Sequence, residues 1–152
     1  MKWKIDASRK EILSDGSRYK VLVCGRRWGK TFFSMLWLMQ KELKPDERRW
    51  IIYPTYRQAK MVAWNILKRI FREKNAKINE SELSITLENN AKIELKGADK
   101  EDSLRGVSLT QCVLDEYAFM KPNVWGEIVQ PMLAETGGKA LFVGTPTGIQ
   151  NH

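Results

Sequence analysis

The stretch Val21-Leu22-Val23-Cys24-Gly25-Arg26-Arg27-Trp28-Gly29-Lys30-Thr31 constrains this chain most: an apolar run is broken by glycine and passes at once into helical periodicity. That order, strand then glycine-bearing loop then helix, is the context a phosphate-binding loop requires. Backbone N–H groups of the loop and of the helix start face phosphates, Lys30 supplies a point charge, and the Thr31 hydroxyl is a candidate Mg²⁺ ligand. The usual pattern places Gly ahead of four intervening residues before Gly29-Lys30-Thr31, and here that position is Cys24. The loop is therefore a variant. Cys24, Gly25, Arg26, Arg27, Trp28, Gly29, Lys30 and Thr31 are its candidate binding residues, but Gly-Lys-Thr is common by chance and does not decide the matter alone.

The remainder of the chain alternates strand and helix. Residues 19–24 and 50–53 read as short buried strands, the second closed by Pro54, which has no N–H for a ladder. Between them, from Gly29 to about Leu43, Phe32, Met35, Leu36, Met39 and Leu43 recur at helical spacing while Phe33, Trp37 and Leu38 fill other faces, as in a deeply packed helix. Over residues 57–74 the periodicity predicts a helix whose core stripe is Ala59, Val62, Ala63, Ile66, Leu67, Ile70 and Phe71. Arg57, Lys60, Trp64, Lys68 and Arg72 then fall on its outer face. Basic residues interleaved with an aromatic suit DNA phosphates, though a solvated face is the commoner outcome.

Residues 84–87 and 91–95 flank Asn89-Asn90 as a hairpin, and residues 97–106 read as a polar loop. Residues 111–115 form a third core strand. A helix over Val124, Trp125, Ile128, Val129, Met132 and Leu133 comes next, bent at Pro131, and Gly137-Gly138 turns into a strand over 140–144. Such alternation predicts an α/β fold with a mostly parallel sheet covered by helices on both faces.

Cys112-Val113-Leu114-Asp115-Glu116 ends an apolar strand in two adjacent carboxylates. An Asp-Glu pair also suits a helix N-terminus, but its strand context downstream of the loop favours chemistry. In such a site the first acid, Asp115, helps hold Mg²⁺ and the second, Glu116, polarises an attacking water. Arg105, within Ser103-Leu104-Arg105-Gly106, joins Arg26 and Arg27 as a candidate to stabilise charge on a transferring phosphoryl group. Gly144 and Thr145, in Gly144-Thr145-Pro146-Thr147-Gly148, come after the last strand where a loop can sense the γ-phosphate, although a plain Gly/Pro turn explains them equally.

Length and composition fit one domain: 152 residues, 43% hydrophobic, bury a single sizeable core. The 26 Lys and Arg against 18 Asp and Glu, a net charge of +8, favour a polyanionic partner. Two cysteines set far apart in apolar runs are buried thiols rather than a metal or disulfide framework. No apolar run reaches membrane-spanning length and the first residues lack an apolar signal core, so an intracellular protein without membrane contact is expected.

Taken in order, these motifs resemble the ATPase domain of the large terminase subunit of tailed bacteriophages and prophages. Gly25-Arg26-Arg27-Trp28-Gly29-Lys30-Thr31 is similar to that family's variant Walker A loop, and Tyr53-Pro54-Thr55-Tyr56-Arg57-Gln58-Ala59-Lys60 to the segment after its second strand. The run Gly97-Ala98 through Arg105-Gly106 and on to Val113-Leu114-Asp115-Glu116-Tyr117-Ala118 resembles the approach to its Walker B acids, and Val143-Gly144-Thr145-Pro146-Thr147-Gly148 its coupling motif. The resemblance implies a P-loop NTPase fold of the ASCE type over residues 1–152. It implies ATP and Mg²⁺ as ligands, and a motor working in the bacterial host cytoplasm. With a small terminase subunit and a portal protein, a homo-oligomeric ring of such subunits pumps double-stranded DNA into a procapsid. The family's second, nuclease half is expected to lie beyond this chain, which reads as an amino-terminal portion ending before the ATPase sheet is complete. Where the family often reads adenine with an upstream Gln, this chain has Arg9-Lys10-Glu11. Two other readings stand beside this one: a non-catalytic nucleotide- or DNA-binding remnant, and a helicase-like P-loop ATPase, which the Arg-Arg-Trp loop and Thr-Pro-Thr-Gly ending fit less well.

Overall fold

The computed structural model describes residues 7–25 and 29–146, the first four of these by backbone alone. Seven strands form one sheet: β1 (Tyr19–Val23), β2 (Arg48–Tyr53), β3 (Lys77–Asn79), β4 (Ser84–Thr86), β5 (Lys92–Gly97), β6 (Gln111–Asp115) and β7 (Lys139–Gly144). Their spatial order is β1-β7-β6-β2-β5-β4-β3. The first five in that order run parallel, and β4 and β3 add an antiparallel margin. The expected α/β fold with a mostly parallel sheet is thus present, and the apolar runs of β2, β6 and β7 are contiguous because helices cover both faces there. The hairpin at Asn89-Asn90 is present too, with Asn90 at φ 68°. Its second strand has a further role, pairing in parallel with β2 on the opposite side.

Two cores result, one on each face. On the first, Leu22, Cys24, Ile51, Tyr53, Val113, Leu141 and Val143 from the sheet meet Phe33, Met35, Trp37 and Leu38 of α2 (Lys30–Met39). Ile12 and Leu13 of α1 (Ala7–Ser14) pack at its margin, in a helix that the sequence did not announce. On the second face, Trp50, Ile52, Cys112, Leu114 and Ala140 lie under Val124, Ile128, Val129, Met132 and Leu133. These belong to a π-helical segment, Val124–Val129, that runs into α5 (Gln130–Thr136) with Pro131 in its first turn. The helix therefore continues through Pro131, which has no N–H to give to the preceding turn, and the wider π-helical turn stands directly before it.

The long helix after β2 keeps most of its expected core stripe, with Ala59, Ala63, Leu67 and Phe71 buried and Ile66 and Ile70 packed against them, and differs at two positions. It comprises α3 (Tyr56–Ala59), a π-helical segment Lys60–Trp64 and α4 (Asn65–Ile70). Bonding from i to i+5 inserts a residue into the turn and rotates the later residues about the helix axis. Consequently Trp64 is buried at 2% exposure, whereas Val62, expected in the core, is 45% exposed beside Met61 at 72%. Trp64 does not belong to the outer basic face: its Nε1 donates to Glu80 Oε2 at 2.6 Å.

Candidate functional site

Parallel sheets bind ligands beyond the carboxyl ends of their strands, and there the singled-out residues meet. Register brings Leu22 beside Val143 and Val143 beside Asp115, while Ile52 pairs with Leu114, so the next residue along each of those two strands sets Tyr53 beside Asp115. Leu22, Val143, Asp115 and Tyr53 share the face that α2 covers, while Ile52 and Leu114 face the other core. Gly29 opens α2 at φ 81°, a left-handed conformation that glycine adopts without a Cβ clash. Among the described residues no side chain caps this end, and no acidic residue stands in its first turn. The positive end of the helix dipole at this start suits an anion. Behind the loop, the Cys24 N–H donates to the Gly144 carbonyl at 3.1 Å, tying the phosphate loop to the segment after β7.

Two carboxylates reach one cation by an unusual turn of backbone. Successive strand residues face opposite sides of a sheet, so a strand continued through Glu116 would send its side chain away from Asp115. Instead Glu116 adopts φ 51° and ψ 43°, ending β6 and leading into a 3₁₀ turn over Tyr117–Phe119. The Lys30 ammonium donates to Glu116 Oε1 and lies 3.6 Å from Asp115 Oδ1. A left-handed non-glycine residue costs on the order of 1–3 kcal/mol and is tolerated where function demands it.

The electrostatics arise from burial. Asp115 is 1% exposed, and loss of water raises its pKa above the ordinary value despite the opposing Lys30 charge, with Glu116 adding to the rise. For Lys30, burial works downward, but the Glu116 hydrogen bond and the charges of Asp115 and Glu116 outweigh it and hold its pKa above the usual lysine value. Tyr53, 2% exposed, has its phenol pushed well upward by burial and by the neighbouring Asp115 charge, with Thr31 also within reach. Both Asp115 oxygens, Glu116 Oε2 and Tyr53 Oη are buried without a well-formed hydrogen bond.

Such orphaned oxygens are costly in a folded protein and call for a partner. They fit Mg²⁺: among the described residues no group of three or more His, Cys, Asp or Glu gathers as a metal cage, and Mg²⁺ favours one or two carboxylates with waters and substrate phosphates. The sequence did not single out Tyr53. Its signal was modest, a polar-tipped residue closing an apolar strand, and becomes meaningful only once β2 and β6 are neighbours.

The other expected residues divide. Gly25 is exposed, Gly144 buried and Thr145 partly buried, all at this edge of the sheet, whereas Arg26, Arg27, Trp28, Thr147 and Gly148 lie outside the described residues. Arg105 is exposed, with extended backbone (φ −118°, ψ 160°) after a 3₁₀ turn over Glu101–Leu104. Among the described residues no hydrogen bond or ion pair joins it to Lys30, Asp115 or Glu116. A cavity of about 930 Å³, lined in part by Lys20, Arg48, Thr110 and Lys139, opens at the opposite edge, by the amino ends of the strands, and contains none of these groups. No described helix is long and apolar enough to cross a membrane.

Known proteins share this fold and up to about a quarter of the aligned sequence. The large terminase subunit of Thermus phage G20c is 26% identical over 154 aligned residues, covering 88% of this chain and 32% of that protein. The chain thus spans about a third of the length of such curated relatives. The solved ATPase domain of the large terminase of Thermus phage P74-26 superimposes with a TM-score of 0.76 at 25% identity, covering 95% of this chain and 66% of that one. The large terminase of the thermophilic bacteriophage D6E shares the fold, with a TM-score of 0.71 at 18% identity over 93% of this chain and 39% of its own. The family profile described as "Terminase large subunit, T4likevirus-type, N-terminal" matches residues 21–148, and the chain belongs to that family.

Proposed function

We propose that this chain binds ATP with Mg²⁺ at the carboxyl edge of its sheet and hydrolyses it, and that in the whole protein hydrolysis drives double-stranded DNA into a procapsid. The observation that carries this reading is the meeting of Lys30, Asp115 and Glu116, with buried carboxylate oxygens unpaired, below the start of α2. The P74-26 protein to which the chain is similar is described as a large terminase ATPase domain, which supports the same chemistry here.

The residues act in separate roles. Lys30 and the N–H groups at the start of α2 hold the phosphates, Lys30 by its charge and the amides by direction. Thr31 and Asp115 are the residues to hold Mg²⁺, which supplies neutralisation of charge on the phosphate oxygens. Glu116 orients the attacking water and takes its proton as the water oxygen bonds to the γ-phosphorus and the bond to the bridging oxygen of ADP breaks. Arg105, with Arg26 and Arg27, is assigned to charge on the transferring group, Arg105 within its own subunit or across to a neighbour. Gly144 and Thr145 are assigned to coupling, since the Cys24 to Gly144 hydrogen bond makes a shift of the loop felt after β7. A portal protein, a small terminase subunit and further copies of the chain in a ring are the partners this reading entails, in the host cytoplasm. DNA-stimulated ATP hydrolysis tests it, measured for the protein beside Lys30→Ala and Glu116→Gln. Loss of turnover in both variants is expected, and unchanged turnover in both would sink the assignment.

A further inference from the structure

We propose that Tyr53 is a positioning residue of this site, its phenol holding the Asp115 carboxylate in the orientation from which Asp115 and Thr31 take up Mg²⁺. This rests on the ATP–Mg²⁺ reading above. The register of β2 against β6 sets Tyr53 beside Asp115 on the face that α2 covers, and the two residues are 2% and 1% exposed. Bulk water is absent from that wall, so neither group is oriented by solvent. The Tyr53 hydroxyl interacts with both Asp115 and Thr31, groups carried on β6 and α2, yet closes a well-formed hydrogen bond to neither.

A buried hydroxyl without a partner destabilises a fold, and phenylalanine would fill the same space without that cost. The hydroxyl is therefore explained by a state in which it is paired. A phenol offers one proton and free lone pairs, so it can donate to Asp115 while accepting from the Thr31 hydroxyl. Accepting that proton leaves the Thr31 oxygen lone pairs turned to a cation, which is how an outer partner orients a metal ligand. Lys30 makes the need concrete. Among the described residues it is the cation paired with Asp115, and once Lys30 turns to the phosphates Asp115 retains the Tyr53 hydroxyl beside it.

The test compares the protein with Tyr53→Phe, which keeps the ring and the packing. ATP affinity is measured by titration calorimetry in EDTA and again in MgCl₂, with the thermal midpoint of the ligand-free protein alongside. The midpoint is expected to hold or rise, and affinity in EDTA to stay within about twofold. The Mg²⁺-dependent gain in affinity is expected to fall about tenfold, at the low end for loss of a partner behind a metal ligand. An undiminished Mg²⁺ gain overturns the role of Tyr53 and leaves the ATP site standing. An equal loss in EDTA and in MgCl₂ also overturns it, by showing a structural effect on the pocket. Failure of the unsubstituted protein to bind ATP in either condition removes the nucleotide reading itself, and the role of Tyr53 with it.

Discussion

The Lys30 ammonium donates a hydrogen bond to Glu116 Oε1 and stands 3.6 Å from Asp115 Oδ1, so the phosphate-binding cation rests on the acids that must be free for catalysis. Nucleotide and acids compete for one charge. Glu116→Gln weakens the hold on Lys30 and removes the base, so its ATP affinity should match or exceed that of the unsubstituted protein while single-turnover hydrolysis falls about 10²- to 10⁴-fold. Lys30→Ala should instead lose about 10- to 100-fold in affinity, the worth of a charged hydrogen bond to phosphate. Binding titrations beside single-turnover assays separate the two. Equal loss of affinity in both variants would contradict the competition.

Asp115 predicts a stability that runs opposite to activity. Burial raises its folded pKa above the ordinary carboxylate value. Between those two values the folded chain holds more protons than the unfolded chain, so stability falls as pH rises through the window and stays lower above it. Asp115→Asn removes the buried charge. Its thermal midpoint at pH 7.5 should rise, with the difference shrinking as pH is lowered into the window. Calorimetric scans across pH would check it, and a lowered midpoint at pH 7.5 would refute the account.

Gly97, the last residue of β5, is required by the segment after β2. A Cβ there would run into the backbone of Tyr56 and the Asp99 carboxylate, which accepts from the Tyr56 N–H at 2.9 Å. Backbone cannot yield as a flexible side chain can. Gly97→Ala is expected to cost about 3 kcal/mol, the upper range for overpacking, read from the denaturant midpoint.

Trp64 and Val62 test the register of the helix that joins β2 to β3. Trp64→Ala should cost about 3–5 kcal/mol as a buried aromatic, whereas Val62→Ala on the surface should stay within about 0.5 kcal/mol. The sequence ordered these residues the other way, because a 3.6-residue period carried through positions 57–74 ignores a π-helical turn that periodicity does not display. The strands were legible for the opposite reason: β2, β6 and β7 are covered on both faces, so each holds a contiguous apolar run, β1 at the sheet edge alternates buried and exposed residues, and β6 stands at the residues expected. Legible too was the acid pair, since adjacent carboxylates at the end of such a run stand out. The features that stayed hidden depend on contacts between strands or on single backbone angles. Tyr53 gains meaning only from its place beside Asp115, and the left-handed turn at Glu116 leaves no mark in composition.

Arg105 offers the last discrimination, because its exposure separates folding from catalysis. It makes no described hydrogen bond or ion pair with the acids, so Arg105→Ala should leave stability within about 0.5 kcal/mol. An arginine that stabilises the transferring phosphoryl group is worth about 10³-fold or more in turnover, so hydrolysis should fall steeply in a protein that still binds ATP. An exposed side chain on extended backbone is better placed to reach a neighbour than to fold back onto its own Lys30. Mixing Arg105→Ala subunits, which keep their acids, with Glu116→Gln subunits, which keep their arginine, should then restore part of the DNA-stimulated hydrolysis that neither variant shows alone. Were the arginine to act within its own subunit, every site in the mixture would still lack one of the two groups, and turnover would stay at the level of the separate variants.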